Sequence, residues 1–244
     1  MAGNWKMYKT PAETTAFFEH FRGLVEQSRH CEIVICPPFT SLAAAAELAK
    51  GTRIQIGAQN IAWAKEGAFT GEISGPMIGA AGATYALVGH SERRQYFCET
   101  DETVLKRTQA ALQFGLTPIV CVGERLEERE SGRTEDVLSS QCATGIAGLT
   151  AAQFEKILIA YEPVWAIGTG KTATPEIAAE AHRAIRTQVR LKFGQDAAAA
   201  VRILYGGSVK PDNARALMGQ PEIDGVLVGG ASLDPVGFAS IVNF

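Results

Sequence analysis

The chain lacks the signatures of an oxidising exterior, of a membrane span and of a nucleic-acid arm. Its five cysteines, at 31, 36, 98, 121 and 142, are odd in number and contain no C-x-x-C pair. That usage fits neither a disulfide framework nor a zinc site and predicts a reducing, cytoplasmic setting. The opening residues Met1-Ala2-Gly3-Asn4-Trp5-Lys6 have no apolar stretch of the signal-peptide kind. One longer segment without Asp, Glu, Lys or Arg, residues 73–91, is broken by Gly75, Pro76, Gly79 and Gly82, which argues against a membrane span. The formal net charge is −3 and no block of like charges is long. No basic field is present for nucleic acid, so an anionic ligand must be held by a local site. No low-complexity linker or composition shift divides the chain, so residues 1–244 read as one domain.

What is present is a regular alternation. Eight short β-like runs occur at residues 2–6, 32–36, 53–59, 85–89, 117–122, 157–162, 202–206 and 225–229. Several are unbroken apolar runs, such as Ile33-Val34-Ile35 and Ile157-Leu158-Ile159, which suit strands covered on both faces of a parallel sheet. Helix-period segments lie between them. Thr10-Pro11-Ala12-Glu13 combines a capping box with Pro at the first helical position and leads into Phe17, Phe18, Phe21, Leu24 and Val25 as one apolar face. Thr174-Pro175 opens another helix, with Ile177, Ala181, Ile185 and Val189 as its stripe and Gly194 as its stop; Val104, Leu105, Thr108, Ala111 and Leu112 form a third before Gly115. This alternation leaves two layouts, a closed (β/α)8 barrel or a doubly wound open sheet. The eighth run and Phe238, Ile241 and Val242 fall at the C-terminus, which favours eight complete units and a closed barrel.

Polar residues with chemical capacity follow these runs at their C-terminal ends. Asn4 and Lys6 end the first, Gln59 the third, His90 the fourth and Glu162 the sixth; Ser208 follows the seventh and Gly229-Gly230 the eighth. In a parallel barrel those ends open on one face, so residues far apart in sequence converge. Glu162 precedes Pro163, which keeps its backbone extended, and a partly desolvated carboxylate there suits a general base. Lys6, in an otherwise apolar run, is costly unless its charge meets an anion. The other histidines, His20, His30 and His182, fall in or beside helical segments and are expected to face solvent. Tyr205-Gly206-Gly207-Ser208-Val209 and Val228-Gly229-Gly230-Ala231-Ser232 suit backbone N–H groups that receive a phosphate. The segment Pro163-Val164-Trp165-Ala166-Ile167-Gly168-Thr169-Gly170-Lys171-Thr172-Ala173 has the make-up of a hinged lid, Gly-rich at its centre and stiffer at its ends. Its partial matches to a P-loop and to a dinucleotide fingerprint are accidental. The required first Gly of the P-loop falls on Trp165, and the preceding strand has already ended at Glu162.

Four stretches carry a resemblance: Ala2-Gly3-Asn4-Trp5-Lys6-Met7, Val88-Gly89-His90-Ser91-Glu92-Arg93-Arg94, the run from Ala160 through Tyr161-Glu162-Pro163 to Gly170, and Tyr205-Gly206-Gly207-Ser208-Val209. In order and spacing, the chain resembles the triosephosphate isomerase family over essentially its whole length. The resemblance implies a single-domain TIM barrel without metal or organic cofactor. The activity it implies is interconversion of dihydroxyacetone phosphate and D-glyceraldehyde 3-phosphate, in glycolysis and gluconeogenesis. By resemblance, Glu162 moves a proton between adjacent carbons and His90, as neutral imidazole, polarises the carbonyl. Lys6 and Asn4 stabilise negative charge, and Glu92 is a supporting carboxylate. Backbone N–H groups at Gly168, Ser208, Gly229 and Gly230 receive the phosphate, and Tyr205 and Ser208 latch the lid. A homodimer is implied too, with Thr70 of the long loop 63–73 docking near the neighbour's Asn4 and Lys6. Two departures stand out. Only Met1 precedes the Ala-Gly-Asn-Trp-Lys stretch, where family members usually carry several more residues, and Cys98 stands where Gly is common. Two rival chemistries stay open. A Schiff-base aldolase needs a reactive Lys on a later strand, whereas the strand-end Lys here is Lys6. A catalytically silent phosphosugar-binding protein would have no use for Asn4, Lys6, His90 and Glu162 together.

Overall fold

The structure, a computed structural model, describes residues 1–167 and 171–244. Eight parallel strands form a closed barrel in chain order: β1 (Ala2–Asn4), β2 (Ile33–Cys36), β3 (Ile54–Ala58), β4 (Tyr85–Val88), β5 (Thr117–Val122), β6 (Leu158–Tyr161), β7 (Arg202–Tyr205) and β8 (Gly225–Val228). The register closes where Ala2 of β1 pairs with Val34 on one side and Leu227 on the other. The expected alternation is therefore met and the open-sheet layout is not.

The apolar runs are unbroken because both faces of every strand are covered. Ile33, Ile35, Ile159, Tyr161, Ile203 and Tyr205 point outward into the layer beneath the helices. Ala2, Val34, Cys36, Leu87, Cys121, Ala160, Leu204 and Leu227 fill the barrel interior. The period of two along a strand then aims the next residue of each inward set at the barrel mouth. Beyond Ala160 that residue is Glu162, and beyond Ala2 it is Asn4.

Local chemistry sets the helix boundaries. The Thr10 side chain accepts from the Glu13 N–H, the Glu13 carboxylate accepts from the Thr10 N–H, and the helix Pro11–Val25 begins there. Its core face is Thr14, Phe17, Phe18, Phe21 and Val25; Leu24, expected on that face, is 45 % exposed instead. Thr174 caps Pro175–Phe193, and Gly194 ends it at φ 91°, a backbone setting that glycine adopts without penalty. No helix among the described residues is long and apolar enough to cross a membrane.

Besides Leu24, two expectations need correction. The first run ends as a strand at Asn4, not at Lys6: Lys6 has φ 51°, outside any extended conformation, and its N–H turns back to the Asn4 side chain. His182 does not face solvent. It lies on the inward face of Pro175–Phe193 with no exposed surface, because the stripe of Ala178, Ala181 and Ile185 brings it against the barrel wall. His20 and His30 are exposed, as expected.

Candidate active site

At the C-terminal mouth of the barrel, a cavity of about 400 Å³ is walled by Asn4, Lys6, His90, Glu162, Ser208 and Gly229, among others. These residues come from the ends of β1, β4, β6, β7 and β8, and the convergence expected from strand-end polarity is observed.

Glu162 is 2 % exposed and firmly placed. Its N–H donates to the Val122 carbonyl at 2.7 Å, and the Gly206 N–H donates to the Tyr161 carbonyl at 2.7 Å, so backbone bonds continue past the strand ends on both sides. Its Oε2 accepts from the Ser91 N–H at 2.9 Å, and its Oε1 lies 2.8 Å from His90 Nε2. Two glycines permit this placement. A Cβ at Gly123 would fall 1.8 Å from the Glu162 carbonyl oxygen, and one at Gly206 would fall 2.9 Å from Glu162 Cγ.

His90 is the N-cap of the short helix Ser91–Tyr96, and its Nδ1 accepts the Glu92 N–H at 3.2 Å. A ring nitrogen that accepts cannot carry a proton, so the ring's proton sits on Nε2, aimed at Glu162. Burial disfavours charge on both partners, yet each is charged more readily for the presence of the other. Burial alone would push the Glu162 carboxyl up, but His90, the Ser91 N–H and Lys6 together hold it below its ordinary value. Burial alone would push His90 down, but the Glu162 carboxylate, with the Glu92 charge adding to it, outweighs burial and raises the ring's pKa.

Lys6 answers the question of its own cost: its Nζ lies 2.5 Å from Glu92 Oε1. Its backbone is clamped at both ends, the N–H donating to Asn4 Oδ1 at 2.9 Å and the carbonyl accepting from Gln59 Nε2 at 2.8 Å. Gln59 donates to the Cys36 carbonyl as well, tying β2 to this turn. A left-handed setting at a non-glycine residue is costly, and these clamps are what hold it.

Both glycine segments border the cavity, through Gly206, Gly207 and Ser208 on one side and Gly229 and Gly230 on the other. Gly229 lies beside Lys6, where a Cβ would meet Lys6 Cε at an ordinary contact distance of 3.4 Å. Ser208, past the neighbouring strand β7, is half-buried, its carbonyl accepting from Asn213. Tyr205 is not on the cavity wall. It is fully buried beneath β7, and burial pushes its hydroxyl up to about 12, with the Ala173 amide working in the other direction.

Of the segment expected to form a lid, Pro163, Val164, Trp165, Ala166 and Ile167 are described, with a 3-10 turn at Val164–Ala166; Lys171, Thr172 and Ala173 resume beyond it. Gly168, Thr169 and Gly170 lie outside the described residues. The first flank is held by a residue that sequence reasoning missed. Glu124, fully buried, accepts from the Tyr161 hydroxyl at 3.1 Å and the Trp165 indole N–H at 2.9 Å, and its carbonyl accepts from the Val164 N–H. The signal was available, since Glu124 stands two residues past β5, in the same strand-end position as the others.

Thr70 is exposed on its loop, which is braced by the buried Arg107 through Asn60 and Glu72. On the same loop Trp63 and Phe69 are each 43 % exposed with their rings 6.1 Å apart, and elsewhere Met7, Tyr8, Tyr96 and Phe97 are exposed as well. No group of three or more His, Cys, Asp or Glu among the described residues is arranged to hold a metal ion.

Comparison with known proteins agrees with this geometry. A family model described as triosephosphate isomerase matches residues 1–244. A triosephosphate isomerase of Solibacter usitatus is 78 % identical over 244 residues, covering 100 % of this chain and 98 % of that protein. One of Citrifermentans bemidjiense is 54 % identical, covering 100 % and 97 %. The crystal structure of triosephosphate isomerase from Bartonella henselae superposes with a TM-score of 0.90 at 40 % identity, covering 100 % of this chain and 97 % of that one.

Proposed function

The chain belongs to the triosephosphate isomerase family, and from that premise we propose how its residues divide the reaction. The reaction is the aldose–ketose isomerisation of a triose phosphate, a step of glycolysis. Glu162 is the base: its carboxylate takes the proton from the carbon beside the carbonyl and returns it to the neighbouring carbon. To reach that carbon it turns from His90, and the Nε2–H it leaves becomes the donor to the substrate's carbonyl oxygen. The same turn resolves the charge on His90. Glu162 is the larger of the two carboxylates that raise its pKa, Glu92 being the other, so once Glu162 leaves, burial and the Glu92 N–H at Nδ1 both favour a neutral ring.

Lys6 supplies the positive charge that offsets the enediolate, and Glu92 holds its ammonium in place. Asn4 has committed its Oδ1 to the Lys6 N–H, which leaves its amide N–H groups as donors toward the substrate. Backbone N–H groups of Ser208, Gly229, Gly230 and Gly168 receive the phosphate. Residues 163–173 close over it, with Tyr205 and Ser208 as the latch. A closed lid excludes water, strengthens each charge interaction and keeps the enediol from expelling phosphate. The exposed Trp63 and Phe69 on the loop that carries Thr70 support a homodimer, and the five free cysteines support a cytoplasmic setting.

The observation that carries this reading is the 2.8 Å contact between His90 Nε2 and Glu162 Oε1 over a cavity that Lys6 also lines. A coupled assay of glyceraldehyde 3-phosphate consumption tests it. The substitution Glu162→Gln keeps shape and removes the base, with an expected loss of about 10²–10⁴-fold in kcat. Near-full turnover in that variant would overturn the assignment.

A further inference from the structure

His182 plays no part in the chemistry above, and its placement calls for a reason. It is fully buried on the helix that follows the 163–173 segment. Its Nδ1 lies 3.1 Å from the Glu222 carbonyl, an acceptor, so the neutral ring carries its proton there and Nε2 is bare. That Nε2 is buried and has no partner among the described residues. A bare acceptor in a core is costly, whereas an apolar ring of similar size would carry no such cost.

The ring's neighbours supply the reason. It stands edge-on to Tyr161, centroids 5.8 Å apart at 87°, and tilted against Tyr205, 6.5 Å apart at 39°. The two tyrosines are themselves 6.5 Å apart, so the three rings form one cluster. Each tyrosine leads to a different flank of the 163–173 segment. The Tyr161 hydroxyl donates to Glu124 Oε1, the same oxygen that accepts the Trp165 indole N–H. The Tyr205 hydroxyl lies beneath Gly207, where a Cβ would come within 2.2 Å of it, and faces the Ala173 amide without closing a hydrogen bond to it.

We propose that His182 is a positioning residue for the isomerisation: its ring, anchored on the Glu222 carbonyl, fixes Tyr161 and Tyr205 as a pair and thereby the relative placement of the two lid flanks. This rests on the reading of residues 163–173 as a lid. Lid closure draws on binding of the substrate's phosphate, so a residue acting through the lid affects phosphorylated and phosphate-free substrates differently. A residue that only fills the core affects both alike.

The test compares kcat/KM for glyceraldehyde 3-phosphate with that for glyceraldehyde. His182→Asn keeps an N–H for Glu222 and removes the outer edge of the ring. The expected result is a loss on the order of tenfold with the phosphorylated substrate, from misplacement of the flanks. With glyceraldehyde the change is expected to stay below about twofold. His182→Phe, which restores a ring, is expected to recover part of the difference. Equal losses on both substrates, or none, would overturn the proposal, and so would an identical selective loss in His182→Phe, which would assign the effect to the Glu222 bond. Should His182→Asn not fold, His182→Gln replaces it under the same criteria. Tyr205→Phe separates the two readings. If it leaves the substrate ratio unchanged, the lid reading fails; if it alters the ratio while His182→Asn does not, only the assignment of His182 fails.

Discussion

His90 and Glu162 meet at 2.8 Å as a buried pair in which each partner is the leading influence opposing the effect of burial on the other. The acid limb of kcat/KM should therefore lie below the ordinary Glu value of 4.5, since a depressed carboxyl stays ionised to lower pH. Replacing His90 with Gln removes the largest cause of the depression and leaves burial to act. The limb should then move to higher pH, and kcat should fall by about 10²–10³-fold with the loss of the donor. A pH–rate profile checks both, and an unmoved limb would contradict the coupling.

The same pair shapes stability. Glu162, depressed when folded, contributes above its ordinary value of 4.5, and that contribution is lost as pH falls through the folded value. His90, raised when folded, contributes below its ordinary value of 6.5, and that contribution is lost as pH rises through the folded value. Both contributions are complete only between 4.5 and 6.5. The difference in urea stability between the parent and His90→Gln should be largest in that window and shrink on either side.

Gly123 has no role in chemistry, yet its missing side chain admits the Glu162 backbone. Gly123→Ala would place Cβ 1.8 Å from a backbone carbonyl oxygen, where no flexible side chain is available to yield. The expected cost is about 1–3 kcal/mol or more in urea denaturation. Displacement of the base should lower kcat on the order of 10²-fold. An active, equally stable Gly123→Ala variant would show that the base tolerates a shifted backbone.

Cys98 has φ 55°, a left-handed setting that disfavours any side chain with a Cβ and explains why glycine is at home there. Cys98→Gly should raise stability by about 0.5–1 kcal/mol, the relief of strain exceeding the added freedom of the unfolded chain. That corresponds to a rise of roughly 1–4 °C in Tm for a chain of this length. Differential scanning calorimetry measures the rise, and activity should stay unchanged.

The exposed Trp63 and Phe69 on the Thr70 loop predict a dimer by analytical ultracentrifugation. Phe69→Glu puts a charge on the tip of that loop, beside Trp63 at a ring distance of 6.1 Å. It should shift the protein toward monomer and lower activity in parallel, because desolvating an unpaired carboxylate opposes association. A fully active monomer would sink the dimer reading.

Much of this molecule was legible in its residues. Thr10 and Thr174 announce helix starts, Gly194 a helix stop, and the apolar runs the strands, because caps, φ preferences and apolar spacing act over a few neighbouring residues. The strand-end rule found Asn4, Lys6, His90 and Glu162 for the same reason. It placed Lys6 in a strand, where the Asn4 side chain instead turns the backbone. Glu124 obeyed the rule and was passed over.

Sequence by itself determined the eightfold alternation and the polar groups at the run ends, whereas closure into a barrel was decided by the fold. Only the tertiary structure decided which of those groups touch. Lys6 meets Glu92 across 86 residues, and the Ser91 N–H meets Glu162 across 71. It decided as well that His182, polar and on a helix, is buried against two tyrosines. Periodicity reports which face of an element is apolar, but a contact between distant side chains depends on how the closed barrel sets neighbouring elements against one another.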